Sequence, residues 1–313
     1  MIFELPLIAL RKVFSTNRKM RKEFIFSMKD QANEMIYAML TDDRPVMVAR
    51  FGATEMSCLL NYMGVKGGKR DYLRYIKGEG LQWWWNKKVL TQMQQWSGFF
   101  PPTSQMAERF GELMLQDIPQ MDLLGSWLYS ETYFKEQLRG SKQVVLEDIE
   151  PFFAKKPWTQ ALAGKKVLVV HPFADSIKAQ YKIKDKIFPD GLLPDFELKT
   201  IKAVQTIAGQ KSEFADWFEA LDYMKSEIDK IDYDICIIGC GAYGFPLAAH
   251  VKRMGKKSIH MAGVTQLLFG IVGARWENYI VWPYLNLFNE HWIRPSADES
   301  PMGAAKIEGA CYW

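Results

Sequence analysis

Residues 234–261 carry the pattern that most constrains the fold of this chain. The run Asp234–Ile238 has the length and apolar character of a buried strand, and a helical pattern follows from Phe245 to Met254. Between them, three glycines recur in the spacing G-x-G-x-x-G: Gly239, Gly241 and Gly244. A second strand is expected at Ser258–Met261. This order of strand, glycine turn, helix and strand is typical of an α/β domain in which the turn faces a ligand.

The rest of the chain repeats this alternation of strands and helices. Further short apolar or extended runs are expected to form strands at residues 46–50, 123–129, 143–146, 166–170 and 197–204. Longer helical patterns separate most of these runs. Short strands separated by helices favour an α/β fold with a mostly parallel sheet, Rossmann-like strand–turn–helix units and helices on both faces.

Composition shifts and prolines divide the chain into four predicted segments. They are a helical N-terminal segment (1–42), an N-terminal α/β half (43–155), a Rossmann-like C-terminal half (156–285) and a C-terminal tail (286–313). The tail ends in apolar residues, so we expect it to pack on the body of the protein. A helical pattern over 71–96, broken at Gly78–Gly80, places the run Trp83–Trp85 on a helix.

Composition excludes several classes of protein. The chain has 313 residues, 48% of them hydrophobic and 24% charged, with a net charge of +4. This charge is too small to favour a nucleic-acid partner. The start lacks the pattern of a signal peptide, and no apolar run approaches the roughly 18 residues of a membrane-spanning helix. Four scattered cysteines are expected to be reduced and mostly buried, which favours a cytoplasmic protein.

Cations concentrate near the N-terminus, with only Glu23 as an acid between Arg11 and Lys29. The simplest interpretation is a solvated helix face. The alternative is a weak contact with an anionic membrane surface, where lipid-linked acceptors reside. The second interpretation would place the protein at the inner face of the membrane as a peripheral protein.

The glycine turn predicts an anion site and argues against NAD. Glycines allow the backbone to approach a ligand closely, and the first turn of the following helix offers unpaired N–H groups. We therefore expect the turn, including Tyr243, to contact a phosphate or nucleotide, with a purely structural turn as the alternative. Dinucleotide-binding folds need an acidic residue about 20 residues further on. The next strand ends at His260 and Met261 instead, so no NAD is expected.

Polar residues also follow the strand that ends near Met261. Thr265 and Gln266 come after the turn at Gly263 and precede an apolar helical run. They either cap that run or contact the sugar or base of a ligand.

A second strand exit, Arg50-Phe51-Gly52-Ala53-Thr54-Glu55, carries the most specific motif. An arginine beside a turn glycine at a strand end is well placed for a diphosphate. Glu55 falls in the first turn of the next helix, where it either interacts with the helix dipole or contacts a metal, ribose or acceptor.

The segment Arg50–Glu55 resembles the R-F-G-D-G-E motif of the GT-D-type glycosyltransferases. The resemblance implies a nucleotide-sugar site to which Arg50, Gly52 and Thr54 contribute. In that family, two carboxylates of a D-x-E motif serve a metal ion. In this chain Ala53 replaces the aspartate and Thr54 the second glycine, so the chain resembles a divergent branch of that family. Mn²⁺ or Mg²⁺ dependence is therefore an open question, with Glu55 as a candidate ligand. Asp148 and Glu150 are weaker candidates because they follow another strand.

His171 follows the strand at 166–170. Its imidazole could act as an acid, a base or a donor to a diphosphate. We rank it with Glu55 as the candidate catalytic residues.

The leading hypothesis is a glycosyltransferase of surface polysaccharide synthesis. It would transfer a sugar from a nucleoside-diphosphate sugar to a glycan or lipid-linked acceptor. The alternatives are an NAD(P)-binding oxidoreductase and a non-catalytic protein of polysaccharide assembly. A homo-oligomer is compatible with the sequence.

Overall fold

Short apolar runs that are buried on both faces become the strands of one sheet. The computed structural model describes residues 4–15, 27–68, 70–278, 284–301, 303 and 312–313. Its strands are β1 (Val46–Ala49), β2 (Leu123–Ser126), β3 (Lys142–Val145), β4 (Lys166–His171), β5 (Glu197–Lys202), β6 (Ile235–Ile238) and β7 (Lys257–His260). They pair in the order β3-β2-β1-β7-β6-β4-β5, and every pair is parallel.

Helices connect these strands and cover the sheet. The α-helices of the described residues are α1 (Glu4–Phe14), α2 (Lys29–Thr41), α3 (Ala53–Gly67), α4 (Tyr72–Lys77), α5 (Lys87–Ser97), α6 (Ser104–Asp117), α7 (Ala174–Tyr181), α8 (Lys184–Ile187), α9 (Trp217–Asp229), α10 (Gly244–Arg253) and α11 (Ala274–Asn278). Several strand exits are short 3-10 turns, among them Gly241–Tyr243 and Ala262–Phe269.

Side chains alternate between two apolar cores, one on each face of the sheet. In β4, Leu168 and Val170 join the core that contains α3, α6, α9 and α10, whereas Val167 and Val169 join the core that contains α2 and α7. This period of two is the geometry of a strand buried on both sides. The predicted α/β fold, with a parallel sheet, helices on both faces and a helical N-terminal segment, is confirmed.

The order of the strands places a crevice near the middle of the sheet. Strand β7 lies between β1 and β6, so the strands of residues 43–155 and 156–285 form one continuous sheet. The chain leaves β1 toward α3 on one face and leaves β4 toward α7 on the other. Ligands of open parallel sheets bind where such connections diverge, at the carboxyl ends of the strands.

The prediction of a helix through Trp83–Trp85 is wrong. Helix α4 ends before Gly78, which has a φ of 83°, and α5 begins only at Lys87. The loop between them is held by Asn61, whose side chain donates to the Trp84 carbonyl at 2.8 Å and accepts from the Asn86 N–H at 2.9 Å. Backbone groups that bond to a side chain of α3 are not available to continue a helix.

The two ends of the chain pack on the body as far as they are described. In the tail, Ile293 pairs with Ile271, and the Trp292 ring lies 5.6 Å from that of Phe188. The predicted helix from residue 21 is described only from α2 onward, since 16–26 lie outside the described residues. The described cysteines Cys58, Cys236 and Cys240 are buried and free.

No described helix is long and apolar enough to cross a membrane.

Candidate functional site

A cleft of about 240 Å³ opens at the carboxyl edge of the sheet. Residues that follow six of the seven strands line it, all except β3. The carboxyl end of a parallel sheet is also where backbone N–H groups of the following helices point outward. The cleft is therefore the natural site for an anionic ligand, and it contains most of the residues predicted from the sequence.

Arg50 follows β1 and faces the cleft from a half-buried position. Its guanidinium lies 5.0 Å from the centre of the Trp127 ring, a distance typical of a cation–π contact. Burial lowers the pKa of Arg50, and the charge of Arg275 acts in the same direction, whereas Glu55 opposes the change. Arg50 lines the cleft, and no carboxylate of the described residues forms an ion pair with its guanidinium.

Trp127 is held in place by a buried carboxylate that the sequence did not reveal. Glu131 accepts hydrogen bonds from the Trp127 and Leu128 backbone N–H groups, each at 3.0 Å, and from the Ser126 hydroxyl. The indole N–H of Trp127 donates to the carbonyl of Phe51 at 2.9 Å. These bonds tie the exit of β2 to the exit of β1, which fixes the ring on which Arg50 lies.

Glu55 occupies the first turn of α3, and its carboxylate folds back over Gly52. A Cβ atom at position 52 would lie 1.8 Å from Oε2 of Glu55 and would therefore overlap its carboxylate. Gly52 has an ordinary φ of −76°, so the glycine is needed here for space and not for backbone freedom. Ala53 and Thr54 line the same wall of the cleft.

A second arginine, Arg275 of α11, also lines the cleft. It donates a hydrogen bond to the Tyr312 hydroxyl at 3.1 Å, and its guanidinium lies 4.7 Å from the centre of that ring. The tyrosine in turn packs against Gly263, where a Cβ atom would overlap the ring. The sequence shows Arg275 near a cluster of glycines, but only the fold brings it to the same cleft as Arg50.

His171 ends β4 and is buried in the cleft wall. Its Nδ1 accepts a hydrogen bond from the Phe173 backbone N–H at 3.0 Å. Burial lowers the pKa of His171 to about 3, so the imidazole is neutral at physiological pH. Because Nδ1 is an acceptor, the ring proton of the neutral form resides on Nε2. This tautomer can donate to a ligand oxygen but is a poor base.

His260 ends β7 and adds a second neutral imidazole to the wall. Its Nδ1 lies 3.2 Å from the Ile238 carbonyl, to which only a protonated nitrogen can donate. Burial, and then the charge of Arg50, lower the pKa of His260 to about 3. The ring packs directly on Gly244, where a Cβ atom would overlap it.

The glycine turn is shaped mainly by its own neighbours. A Cβ atom at Gly239 would lie 2.7 Å from each of three atoms: the Ala262 carbonyl, the His171 ring and the Thr265 side chain. Gly241 is exposed and has a φ of 56°, so a left-handed conformation requires it. Tyr243 is buried, and its ring stacks on Trp217 at 4.9 Å. The first and third glycines therefore allow the exits of β4, β6 and β7 to pack together.

Thr265 and Gln266 lie in the 3-10 turn after β7. Thr265 is fully buried and donates to the Ile238 carbonyl at 3.3 Å. The amide nitrogen of Gln266 donates to the carbonyls of Ile271 and Tyr312, while its Oε1 is buried without a hydrogen-bond partner among the described residues. Ala262, which precedes them, has a φ of 54°, a conformation that costs energy for a residue with a side chain.

The weaker metal candidates lie away from the cleft. Asp148 accepts a hydrogen bond from the Met28 backbone N–H at 2.6 Å beside the start of α2. Glu150 is bonded to the Tyr284 hydroxyl, and burial raises its pKa to about 7. Both side chains hold neighbouring segments to the exit of β3.

The cleft does not reproduce a two-carboxylate metal site. Among the described residues that line it, Glu55 has the only side-chain carboxylate, because Ala53 replaces the aspartate of the motif that it resembles. No group of three or more His, Cys, Asp or Glu within the described ranges is arranged to hold a metal ion. The arginines that line the cleft are Arg50 and Arg275.

Comparisons with known proteins leave the site to be interpreted from its own geometry. No protein-family model, no curated protein and no solved structure matches the chain.

Proposed function

We propose that the protein is a glycosyltransferase that uses a nucleoside-diphosphate sugar. The observation that carries the proposal is the pair of arginines, Arg50 and Arg275, in one cleft at the carboxyl ends of the strands. Guanidinium groups match the geometry of phosphate oxygens and remain protonated even when partly buried. The motif at Arg50–Glu55 adds the resemblance to GT-D-type enzymes.

The main electrostatic task in such a reaction is to stabilise the departing diphosphate. Negative charge develops on the phosphate oxygens as the bond between the sugar and the diphosphate breaks. Arg50 would meet this charge from a fixed position, because Trp127 supports its guanidinium. Arg275 and the Nε2–H of His171 would add further donors. His171 thus acts as a donor to the phosphate in this scheme.

Glu55 would act on the acceptor. As the new bond forms between an acceptor hydroxyl oxygen and the sugar, the hydroxyl must release its proton. Glu55 has the cleft's only side-chain carboxylate in the described residues, so it is our candidate to orient that hydroxyl and receive the proton. The acceptor would be a glycan or a lipid-linked saccharide of surface polysaccharide synthesis.

Nucleotide binding is the direct test of this proposal. We expect UDP or GDP to bind in calorimetric titrations, with CMP as the nucleoside-monophosphate comparison, and Arg50→Gln to weaken the binding of a diphosphate by about 10- to 100-fold through loss of a charged hydrogen bond. Arg44→Gln is a matched control, since that arginine lies six positions earlier with its side chain 82% exposed. Each titration is repeated with EDTA and with Mn²⁺ to settle the metal requirement.

The other outcomes separate the competing functions. Binding of NAD(P) without binding of UDP, GDP or CMP would favour an oxidoreductase. Nucleotide binding together with unchanged biological activity of Glu55→Ala would favour a non-catalytic role in polysaccharide assembly. Failure of both UDP and GDP to bind, with or without Mn²⁺, would contradict the proposal.

A further inference from the structure

Helix α1 presents an apolar face to solvent. Its exposed positions are Leu5, Pro6, Ala9, Leu10, Lys12, Val13 and Phe14, all apolar except Lys12. Leu5 and Val13 are 73% and 70% exposed, and no residue of the helix is buried. The exposed positions of a helix on the surface of a soluble protein are normally occupied by polar side chains. A continuous apolar helix face therefore indicates an interaction surface.

The inner side of α1 is anchored to the body of the protein. Arg11 donates hydrogen bonds to the carbonyls of Tyr75 and Gly80 at 3.1 and 2.9 Å, and its guanidinium lies 4.5 Å from the centre of the Tyr75 ring. These contacts hold α1 against α4, which itself exposes Tyr72 and Leu73 at 51% and 72%. The outer face of α1 is thus held in a defined orientation.

The charge of the sequence that contains α1 indicates which surface the outer face fits. Residues 1–22 contain Glu4 as their single acid, and besides Arg11, which bonds on the inner side of the helix, their cations are Lys12, Arg18, Lys19, Arg21 and Lys22. Anionic lipid attracts such a segment, at about 1 kcal/mol per cation near the membrane surface. Two copies of the same basic segment would repel each other, which disfavours self-association through α1.

We propose that the outer face of α1 binds the surface of an anionic lipid bilayer. With 11 residues, α1 is shorter than the roughly 20 residues needed to cross a bilayer, so it would lie in the plane of the interface. Leu5, Leu10, Val13 and Phe14 would enter the acyl boundary, and Lys12 on the same helix would lie at the level of the headgroups. The proposal is independent of the reaction that the cleft performs.

Vesicle sedimentation with the full chain tests this proposal. We expect binding to phosphatidylcholine vesicles that contain about 30% phosphatidylglycerol, much weaker binding without the anionic lipid, and loss of binding in about 0.5 M salt. Val13→Glu should lower the partition coefficient at least about tenfold, since an apolar side chain is replaced by a charge at the interface. Leu5→Glu places a charge elsewhere on the same face and should also lower the partition coefficient.

Met254→Glu is the matched control, because that side chain is 53% exposed at the end of α10 and should not affect vesicle binding. Circular dichroism confirms that each variant is folded. No binding of the wild type to anionic vesicles, or equal binding of Val13→Glu and wild type, would overturn the proposal. If the wild type does not bind vesicles but forms a dimer that Val13→Glu dissociates, the outer face of α1 serves self-association instead. If the wild type captures an acidic protein and does not bind lipid, the face serves a protein partner instead.

Discussion

Individual residues at the cleft have physical roles that their type alone does not reveal. Gly52 provides the space into which the Glu55 carboxylate folds, whereas Gly244 provides the space for the His260 ring. Both glycines belong to sequence motifs that suggest close approach of a ligand, yet the nearest atoms belong to the protein itself. The motif at Gly52 therefore controls the position of a candidate catalytic group.

Gly52→Ala should displace the Glu55 carboxylate and leave the fold intact. The atoms that a new methyl group would meet belong to the end of a flexible side chain, so the side chain can move at little cost to stability. We expect turnover to fall about 10- to 100-fold, since a displacement of about 1 Å suffices for such an effect. Turnover and thermal unfolding are measured in parallel with Gly67→Ala, in the last turn of the same helix, where no atom lies within 4 Å of the added Cβ. Equal turnover of the two variants would contradict this role of Gly52.

The buried imidazole of His171 predicts a pH dependence of stability. Its pKa is about 3 in the folded protein and about 6.5 when unfolded, so between these values the unfolded state binds the additional proton. The contribution of His171 to stability is present above pH 6.5 and is lost as the pH falls toward 3. His171→Asn keeps a hydrogen-bond acceptor but does not titrate.

The free energy of unfolding of wild type and His171→Asn is compared by urea denaturation at pH 5 and pH 8. Relative to the variant, the wild type should lose about 2 kcal/mol between pH 8 and pH 5, at about 1.4 kcal/mol per pH unit below 6.5. If the difference in the free energy of unfolding between wild type and His171→Asn is the same at pH 5 and pH 8, His171 is not buried as a neutral ring.

At the scale of elements, the C-terminal tail supports the strand exit that carries His171. Glu299 is buried and accepts hydrogen bonds from the Asp175 and Ser176 backbone N–H groups at 2.9 and 3.2 Å, and from the Ser176 hydroxyl. A carboxylate at this position satisfies N–H groups of the first turn of α7 and interacts favourably with the helix dipole. Glu299 lies more than 100 residues after α7 in the sequence, so this cap couples the tail to the β4–α7 connection.

Glu299→Gln should destabilise the protein by about 1–3 kcal/mol, because a charged acceptor of buried N–H groups is replaced by a neutral amide. Asp298→Asn is the control, since the neighbouring side chain is exposed. The free energy of unfolding from urea denaturation distinguishes the two. If both variants unfold at the same denaturant concentration, the cap contributes nothing to stability.

At the scale of the whole molecule, the sequence was sufficient for the fold class and for part of the site. Strand and helix periods are local, and strand exits of a parallel sheet meet at one edge, so Arg50, His171 and the glycine turn could be assigned to one region. Trp83–Trp85 could not be placed because a side chain of α3 holds their backbone. Glu131 bonds only to the nearby residues 126–128, but the roles of Trp127 and Arg275 depend on contacts between distant segments.

The position of β7 explains why those contacts were not predictable. It lies between β1 and β6, although more than 200 residues separate β1 from β7 in the chain. Local patterns contain no information on this order. The same insertion brings the exit of β7, and with it α11 and Arg275, to the cleft that Arg50 enters from the other half.

The position of the proposed nucleotide site can be determined from a crystal structure of the protein with the nucleoside diphosphate that binds most tightly. We predict that the diphosphate lies in the cleft at the carboxyl edge of the sheet, with a phosphate oxygen within hydrogen-bond distance of the Arg50 guanidinium. The phosphate that carries the sugar in the donor should face Glu55. A nucleotide bound elsewhere on the protein, or one in the cleft whose phosphates point away from Arg50 and Arg275, would contradict the account.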